Sequence, residues 1–341
     1  MNFTLICGKL NGMSLAGLAL TVIILIVSSL YLIIYAFSHN PRAALPEEDT
    51  FIVSIDSNGH EVKQDVTKVT KDNIDSTGDV LLSVVVPSYN ETKRIETMLT
   101  EAVEHLQKSF PNQWEIIIVD DGSSDGTTKF CLDLSKEKFN LKNNELKVIK
   151  LAKNRGKGGA VRHGLLRIQG KYGLFADADG ASKFSDASKL IESIQEQETQ
   201  DIKDNSPKAA IAIGSRAHMV NTEAVVKRSF LRNTLMYGFH ALVYLFGIRS
   251  IKDTQCGFKL FNRQSIHEIL PYLHTEGWIF DVEILMLGIR KGISIVEVPV
   301  SWHEVDGSKV DLARDSINMA IDLVVIRMAY LLGVYNDSKE C

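Results

Sequence analysis

The sequence predicts an α/β fold with a mostly parallel central sheet, preceded by one membrane-spanning helix. Three observations carry this expectation. An uncharged apolar run, Leu15–Phe37, stands near the start of the 341-residue chain. Further on, short Val- and Ile-rich runs alternate with helix-like stretches, the pattern of strands buried on both faces by helices. Each such run then breaks off into polar, charged or glycine residues, and open α/β sheets bind their ligands outside the carboxyl ends of the strands.

The first element, residues 15–37, is long enough to cross a bilayer core as a helix, for which about 20 apolar residues suffice. A cleaved signal peptide would need a shorter apolar stretch and a small-residue cleavage site, whereas His39, Asn40, Pro41 and Arg42 follow here. The anchor therefore reads as uncleaved and single-pass, after a short segment 1–14. Charge leaves its orientation undecided, because Lys9 and the amino terminus stand against Arg42. Residues 38–79 read as a polar linker carrying a hairpin, with strand-like 51–55 and 61–66 flanking the turn signal Ser57-Asn58-Gly59. A larger domain, 80–335, begins at the buried-strand run 81–86, which ends at Pro87. A helix pattern at 95–109 leads to strand 115–119, ending in Asp120-Asp121-Gly122. Strands 146–151 and 172–176 follow, the latter running into Asp177-Ala178-Asp179.

Composition bounds the function. A 45% hydrophobic fraction supplies a real core. The formal charge of −4, from 38 basic and 42 acidic residues, gives no nucleic-acid footprint, so anion recognition must come from local clusters. The four cysteines Cys7, Cys131, Cys256 and Cys341 lie far apart with no metal-finger spacing, which favours reduced thiols and a domain facing the cytosol.

Asp177 and Asp179, one residue apart at a strand end, can both reach a divalent ion that also holds a diphosphate. An isolated Asp-x-Asp is more often a solvated acidic turn; its position at the strand end is what marks this one. The stretches containing Pro87, Tyr89, Asn90 and Glu91, and Asp120 and Asp121, end adjacent strand candidates and can hold a base and its ribose. Ser and Asp residues in the second stretch also suit a helix N-cap, and the two roles are compatible. The segment Asn154-Arg155-Gly156-Lys157-Gly158-Gly159 opens a helix after the third strand, where glycine-rich backbone with Arg and Lys suits a diphosphate. It lacks Walker P-loop spacing, and in isolation it reads as a structural turn.

Taken in order, VVVPSYNE, IIIVDDGSSDGT, NRGKGGAVRHG, DADG and AIGSR resemble glycosyltransferase family 2, the inverting transferases of A-type, Rossmann-like fold that use nucleotide-sugar donors. The resemblance covers residues 81–309. Later segments resemble the branch that glycosylates dolichyl phosphate: DTQCGFKLF, Gly277-Trp278-Ile279-Phe280-Asp281-Val282-Glu283, and Trp302-His303-Glu304-Val305-Asp306-Gly307-Ser308-Lys309. Mannose-transferring members usually carry Leu and Gln after Asp-Ala-Asp and an Arg before the G-x-S-K segment. Here Gly180, Ala181 and the His303-Glu304 pair stand instead, which points from mannose to glucose.

The resemblance implies UDP-glucose as donor, dolichyl phosphate as acceptor, and Mg²⁺ or Mn²⁺ held by Asp177 and Asp179. The expected donor contacts are Pro87, Tyr89, Asn90, Glu91, Asp120, Asp121, Gly156, Lys157, Asp177, Ala178 and Asp179. Arg216, Arg228, Arg232 and Lys309 are the expected acceptor-phosphate contacts, with Lys227 and Arg228 reading equally as a basic face toward anionic lipid. Asp179, Arg216, Arg232 and Asp281 are the expected catalytic set. Asp281 and Glu283 have either a sugar- or phosphate-facing role or a structural one. Asp253, Gln255 and Ser308-Lys309 are expected in the same cleft, and Cys256 as a packed thiol. A dolichol tail stays in the bilayer, so residues 231–248 and 317–334, apolar with scattered charge, read as interfacial helices, with a core helix or a second span as the competing readings. The implied compartment is the endoplasmic reticulum membrane, and the number of copies in an assembly is left open. Transfer from GDP-mannose, or a non-catalytic nucleotide-sugar-binding membrane protein, are the competing functions.

Overall fold

A computed structural model describes residues 15–76, 78–142, 144–200, 208–219, 238, 242–244, 248–307, 309 and 311–337. They divide into a unit of residues 40–323 and a smaller one drawn from 1–39 and 324–341.

In the larger unit two strands form the floor of the core. β3 (Leu82–Ser88, LSVVVPS) and β4 (Trp114–Asp120, WEIIIVD) carry β-branched residues on both faces, and nearly every position is buried. Such runs do not alternate because both faces are covered. The strands pair parallel, Val84 opposite Ile116. β4 pairs parallel with β5 (Leu146–Lys150), and β3 pairs parallel on its other side with β6 (Tyr172–Ala176), Val84 opposite Leu174. The chain thus moves outward from β3 through β4 to β5 and returns across β3 to β6. That reversal opens a crevice at the carboxyl ends of β3 and β6.

The remaining strands, β1 (Thr50–Ile55), β2 (Glu61–Asp65), β7 (Ala210–Ser215), β8 (Phe258–Asn262) and β9 (Ser294–Pro299), complete a nine-stranded sheet in the order β2-β1-β5-β4-β3-β6-β8-β7-β9. β8 (Phe258–Asn262) runs antiparallel to β6, so the residues preceding it lie beside Asp177 at the crevice end. β7 (Ala210–Ser215) is antiparallel to β8, and β9 (Ser294–Pro299) is parallel to β7, so both also finish at that end. Residues 215–216 and 299–302 are thereby delivered to the same place as the ends of β3, β4 and β6.

The predicted hairpin forms as β1 (Thr50–Ile55) and β2 (Glu61–Asp65), closed by Asp56, whose Oδ1 accepts the backbone N–H groups of Asn58 and His60. It is more than an ornament on a linker. β1 pairs antiparallel with β5, Ile52 opposite Val148, and Phe51 and Ile52 are buried. The outermost strand β2, EVKQD, is wholly exposed, and its charges blunt an otherwise open edge.

Among the helices, α2 (Ile95–Ser109) buries Ile95, Met98, Leu99, Ala102, Val103 and Leu106, the apolar stripe of a 3.6-residue period. α3 (Thr127–Asp133), α4 (Lys157–Leu165), α5 (Ala187–Gln200), α6 (Arg263–Ile269) and α7 (Phe280–Arg290) follow in chain order. At the sheet end opposite the crevice, Lys147 Nζ lies 2.7 Å from Glu115 Oε2, both side chains being 1% exposed. Glu115 Oε1 also accepts Ser83 Oγ at 2.5 Å and the Gln169 backbone N–H at 2.8 Å.

In the smaller unit, α1 (Leu15–Phe37) contains the one helix among the described residues that is long and apolar enough to span a membrane, Ala16–Phe37 with mean hydropathy 2.7. The His39 backbone N–H donates to Tyr335 Oη at 2.6 Å. α8 (Leu312–Leu331) begins in the larger unit and ends in the smaller, exposing Ile317, Ile321 and Leu331 while burying Leu323, Val325 and Ile326. Most of 231–248 lies outside the described residues.

Candidate active site

A cleft of about 690 Å³ opens at the crevice end of the sheet. β3 and the turn after it contribute Pro87, Tyr89 and Glu91, β4 is followed by Asp121, and α4 opens with Gly156 and Lys157. Asp177, Ala178 and Asp179 follow β6, and Arg216 follows β7. Lys309 comes from the segment beyond β9. Positions scattered over most of the chain meet because parallel strands finish on one side.

Asp177 and Asp179 line this cleft together. Lys157 Nζ lies 2.6 Å from Asp177 Oδ1, over the rings of Phe175 (5.3 Å) and Trp278 (5.7 Å). Burial alone would lower the lysine's pKa, but the charges of Asp177, Asp281 and Asp179 outweigh it and hold it above the ordinary range. Asp179 Oδ1 accepts the Ala181 backbone N–H at 3.0 Å. Burial, and then the negative charge of Asp177, push the Asp179 carboxyl above its usual value. A buried carboxyl whose pKa is raised by a neighbouring carboxylate, as at Asp179, is suited to a cation. Mg²⁺ typically takes one or two carboxylates and completes its shell with substrate phosphate oxygens and water, so Asp177 and Asp179 fit such an ion. Among the described residues no cluster of three or more His, Cys, Asp and Glu forms a closed metal site. Asp177 owes its place to Gly257, whose carbonyl accepts the Asp177 N–H at 3.0 Å. A Cβ at Gly257 would lie 2.0 Å from Asp177 Oδ2, so only glycine fits there.

Cations face this pair. Arg94 grips Glu91 through two bonds, Nε to Oε2 at 2.9 Å and Nη2 to Oε1 at 2.6 Å. The Glu91 hydrogen bond, opposed by burial and helped by Asp179 and Asp177, raises its pKa further. Arg216 makes a bidentate pair with Asp253, Nε to Oδ2 at 2.7 Å and Nη2 to Oδ1 at 2.9 Å, with its guanidinium 5.5 Å from the Trp302 ring. That pairing orients a cation already 31% exposed toward the cleft. Lys309 donates to Glu91 Oε1 at 2.7 Å, to the Asn90 carbonyl at 3.0 Å and to the Tyr89 carbonyl, tying it to the turn after β3. Contact between Lys309 and an acceptor phosphate would require exchange of these bonds.

Several expected residues lie elsewhere. Asn90 Oδ1 accepts the Ser124 and Asp125 backbone N–H groups, so this side chain braces the 123–125 turn instead of lining the cleft. Asp120 is buried, accepting Ser123 N–H at 2.8 Å and the Thr128 hydroxyl, and so braces the turn before α3, whose N-cap position is Gly126 with no side-chain cap. Asp281 is behind the wall, 2.6 Å from the buried Lys259 Nζ. Glu283 accepts the N–H groups of His274 and Thr275, a structural use. Arg155 points away from the diphosphate side, and Gln255 does not line the cleft. Cys256 is buried, which pushes its thiol up to about 11, unsuited to nucleophilic chemistry at neutral pH. Lys227, Arg228, Arg232 and Ser308 lie outside the described residues. Arg94, Trp278 and Trp302 line the cleft without having been singled out as contacts. Arg94 carries no motif signal, whereas both tryptophans sit inside segments that mark the family resemblance.

A family model described as glycosyl transferase family 2 matches residues 83–270. Among curated relatives, a dolichyl-phosphate beta-glucosyltransferase of Saccharomyces cerevisiae is 62% identical over 321 residues, covering 94% of this chain and 95% of the relative. The Homo sapiens protein of the same name is 43% identical over 258 residues, covering 74% and 77%. Among solved structures, glucosyl-3-phosphoglycerate synthase from Mycobacterium tuberculosis in complex with uridine-diphosphate aligns with a TM-score of 0.49 at 14% identity, covering 78% of this chain and 86% of that one.

Proposed function

This chain belongs to glycosyl transferase family 2, and from that premise we propose that it transfers glucose from UDP-glucose to dolichyl phosphate with inversion, forming dolichyl β-D-glucosyl phosphate as a lipid-linked glucose donor for protein N-glycosylation. The observation that carries the reading is the 62% identity, across nearly the whole length of both chains, to a protein named for this product. The cleft supports it chemically. An acidic pair faces Lys157, Arg94 and Arg216, which is the arrangement needed to bring two anionic substrates together.

The acceptor is a phosphate monoester with a second pKa of about 6, so at neutral pH it is already an anionic nucleophile. One of its oxygens bonds to the anomeric carbon while the bond from that carbon to the UDP oxygen breaks, and no general base is required. Asp177 and Asp179 are the residues to hold Mg²⁺ or Mn²⁺, which supplies positive charge beside the departing diphosphate. Pro87, Tyr89, Glu91 and Asp121 take the nucleoside end of the donor, and Gly156 and Lys157 its diphosphate. Arg216, fixed by Asp253, orients the acceptor phosphate, and Arg228 and Arg232 join it. A preset guanidinium needs no reorganisation as charge shifts between the phosphates. Membrane anchoring by residues 15–37 fits an acceptor that stays in the bilayer, and the buried free thiols Cys131 and Cys256 fit a cytosol-facing domain at the endoplasmic reticulum. Analysis of the anomeric configuration of the glucolipid made from UDP-glucose tests inversion: a β product is expected, and an α product contradicts the in-line displacement.

A further inference from the structure

Arg155 lies in the middle of the glycine-rich loop assigned to the donor diphosphate, yet its side chain is 6% exposed and turned to the opposite side. Its Nη1 donates to the Arg42 carbonyl at 2.7 Å, and its Nη2 to the Ala43 carbonyl at 2.7 Å and to Glu48 Oε2 at 2.6 Å. These acceptors belong to residues 42–48, the stretch that follows the membrane anchor in sequence. Glu48, whose side chain is 2% exposed, holds the loop at a second point, since its Oε1 accepts the Ala152 N–H at 3.0 Å. Arg42 adds a third, donating from Nη1 to the Asn154 carbonyl at 3.0 Å and from Nε to Glu276 Oε2 at 2.7 Å. Glu276 in turn packs its carbonyl where a Cβ at Gly156 would lie 2.5 Å away, and accepts the Gly159 N–H at 3.1 Å.

The cleft side of the same loop is set by Asp121, whose two carboxylate oxygens accept the Arg155 and Gly156 backbone N–H groups at 2.6 and 2.9 Å. Asn154, Gly156, Lys157 and Asp121 line the cleft, whereas Arg42, Glu48 and Arg155 do not. A buried guanidinium deprived of its carboxylate partner is strongly unfavourable, so the loop and the post-anchor segment hold their positions together. We infer that residues 42–48 are the back wall of the donor site, with Arg155 and Glu48 acting as positioning residues that hold Asp121, Gly156 and Lys157 in donor-binding geometry. The inference rests on the proposed nucleotide-sugar donor, and it ties donor recognition to the segment by which the domain leaves its anchor.

The test uses the full-length protein in detergent, comparing Arg155→Lys, Glu48→Gln and the exposed-site variant Arg42→Ala with wild type. Arg155→Lys keeps the charge but loses the fork, and Glu48→Gln keeps an acceptor for Ala152 but loses the charge. In both, the KM for UDP-glucose is expected to rise about tenfold while kcat and the KM for dolichyl phosphate stay near wild type, as for a misplaced binding loop. Arg42→Ala, whose folding is not in question, is expected to raise the donor KM about threefold, in line with a partly exposed ion pair. Glu115→Gln, at the far end of the sheet, is the control for general destabilisation and leaves the donor KM unchanged. Backbone hydrogen exchange across 153–158 reads the loop whatever the donor proves to be. Faster exchange there in Arg155→Lys and Glu48→Gln, with β3 and β4 unaffected, supports the coupling even if wild type uses another sugar nucleotide. Exchange equal to wild type, or an unchanged donor KM in an active enzyme, overturns it.

Discussion

The metal-holding role proposed for Asp177 and Asp179 depends on the geometry that Gly257 and the end of β6 impose. Asp179→Ala removes a carboxyl that burial and its neighbour's charge already strain, so transfer is expected to vanish while the melting temperature holds. Gly257→Ala forces the Asp177 carboxylate off its site and is expected to cost about 100-fold in kcat/KM, the scale of an ångström-sized misplacement. Near-normal turnover by either variant contradicts these roles. Asp121 carries a pH signature. Burial pushes its carboxyl up to about 7 although backbone N–H groups of Arg155 and Gly156 oppose the shift. Because the folded pKa is raised, the unfolded chain releases this proton first, and the stability from Asp121 falls as pH rises from about 4 to about 7. The stability advantage of wild type over Asp121→Asn is therefore expected to be larger at pH 5 than at pH 8, measured by thermal melts at each pH; a constant difference would sink the assignment. The position of the acidic pair was legible, because the strand run before Asp177 ends there and places both residues at the cleft. Arg155 and Asn90 were misread because a motif names residue types, and only packing decides which way each side chain turns.

The elements that build the cleft were legible where a single physical signal dominated. The Val and Ile runs of β3 and β4 and the periodic stripe of α2 announced themselves, as did the breaks that became the cleft-lining strand ends. The β1–β2 hairpin was legible as a hairpin, yet its pairing with β5 was not, because nothing local to 51–55 says which edge it joins. The antiparallel insertion of β8 between β6 and β7 was equally silent, and it is that insertion which brings Gly257 to Asp177. At the opposite end, the Glu115–Lys147 pair joins β4 to β5 from within the sheet. Lys147→Met leaves a buried carboxylate without its cation and is expected to destabilise by about 3–5 kcal/mol, whereas adding Glu115→Leu restores much of the loss. Chemical denaturation of the two variants checks this, and equal stability of the single variant and wild type would contradict it.

At the scale of the whole molecule, one apolar helix and an α/β domain serve a reaction whose acceptor stays in the bilayer and whose donor is a water-soluble sugar nucleotide. The apolar helix 15–37 was legible from length and hydropathy alone, while the basic residues 227–232 are read from sequence alone. The central claim is a metal-assisted, donor-specific transfer in the cleft between Asp121, Lys157, Asp179 and Arg216. It is tested most directly by incubating the full-length protein in detergent with dolichyl phosphate and either labelled UDP-glucose or labelled GDP-mannose, with Mg²⁺ and with chelator. The account predicts a glucolipid from UDP-glucose that disappears with chelator, and no product from GDP-mannose. Mannolipid formation, or glucose transfer undiminished by chelator, would contradict it.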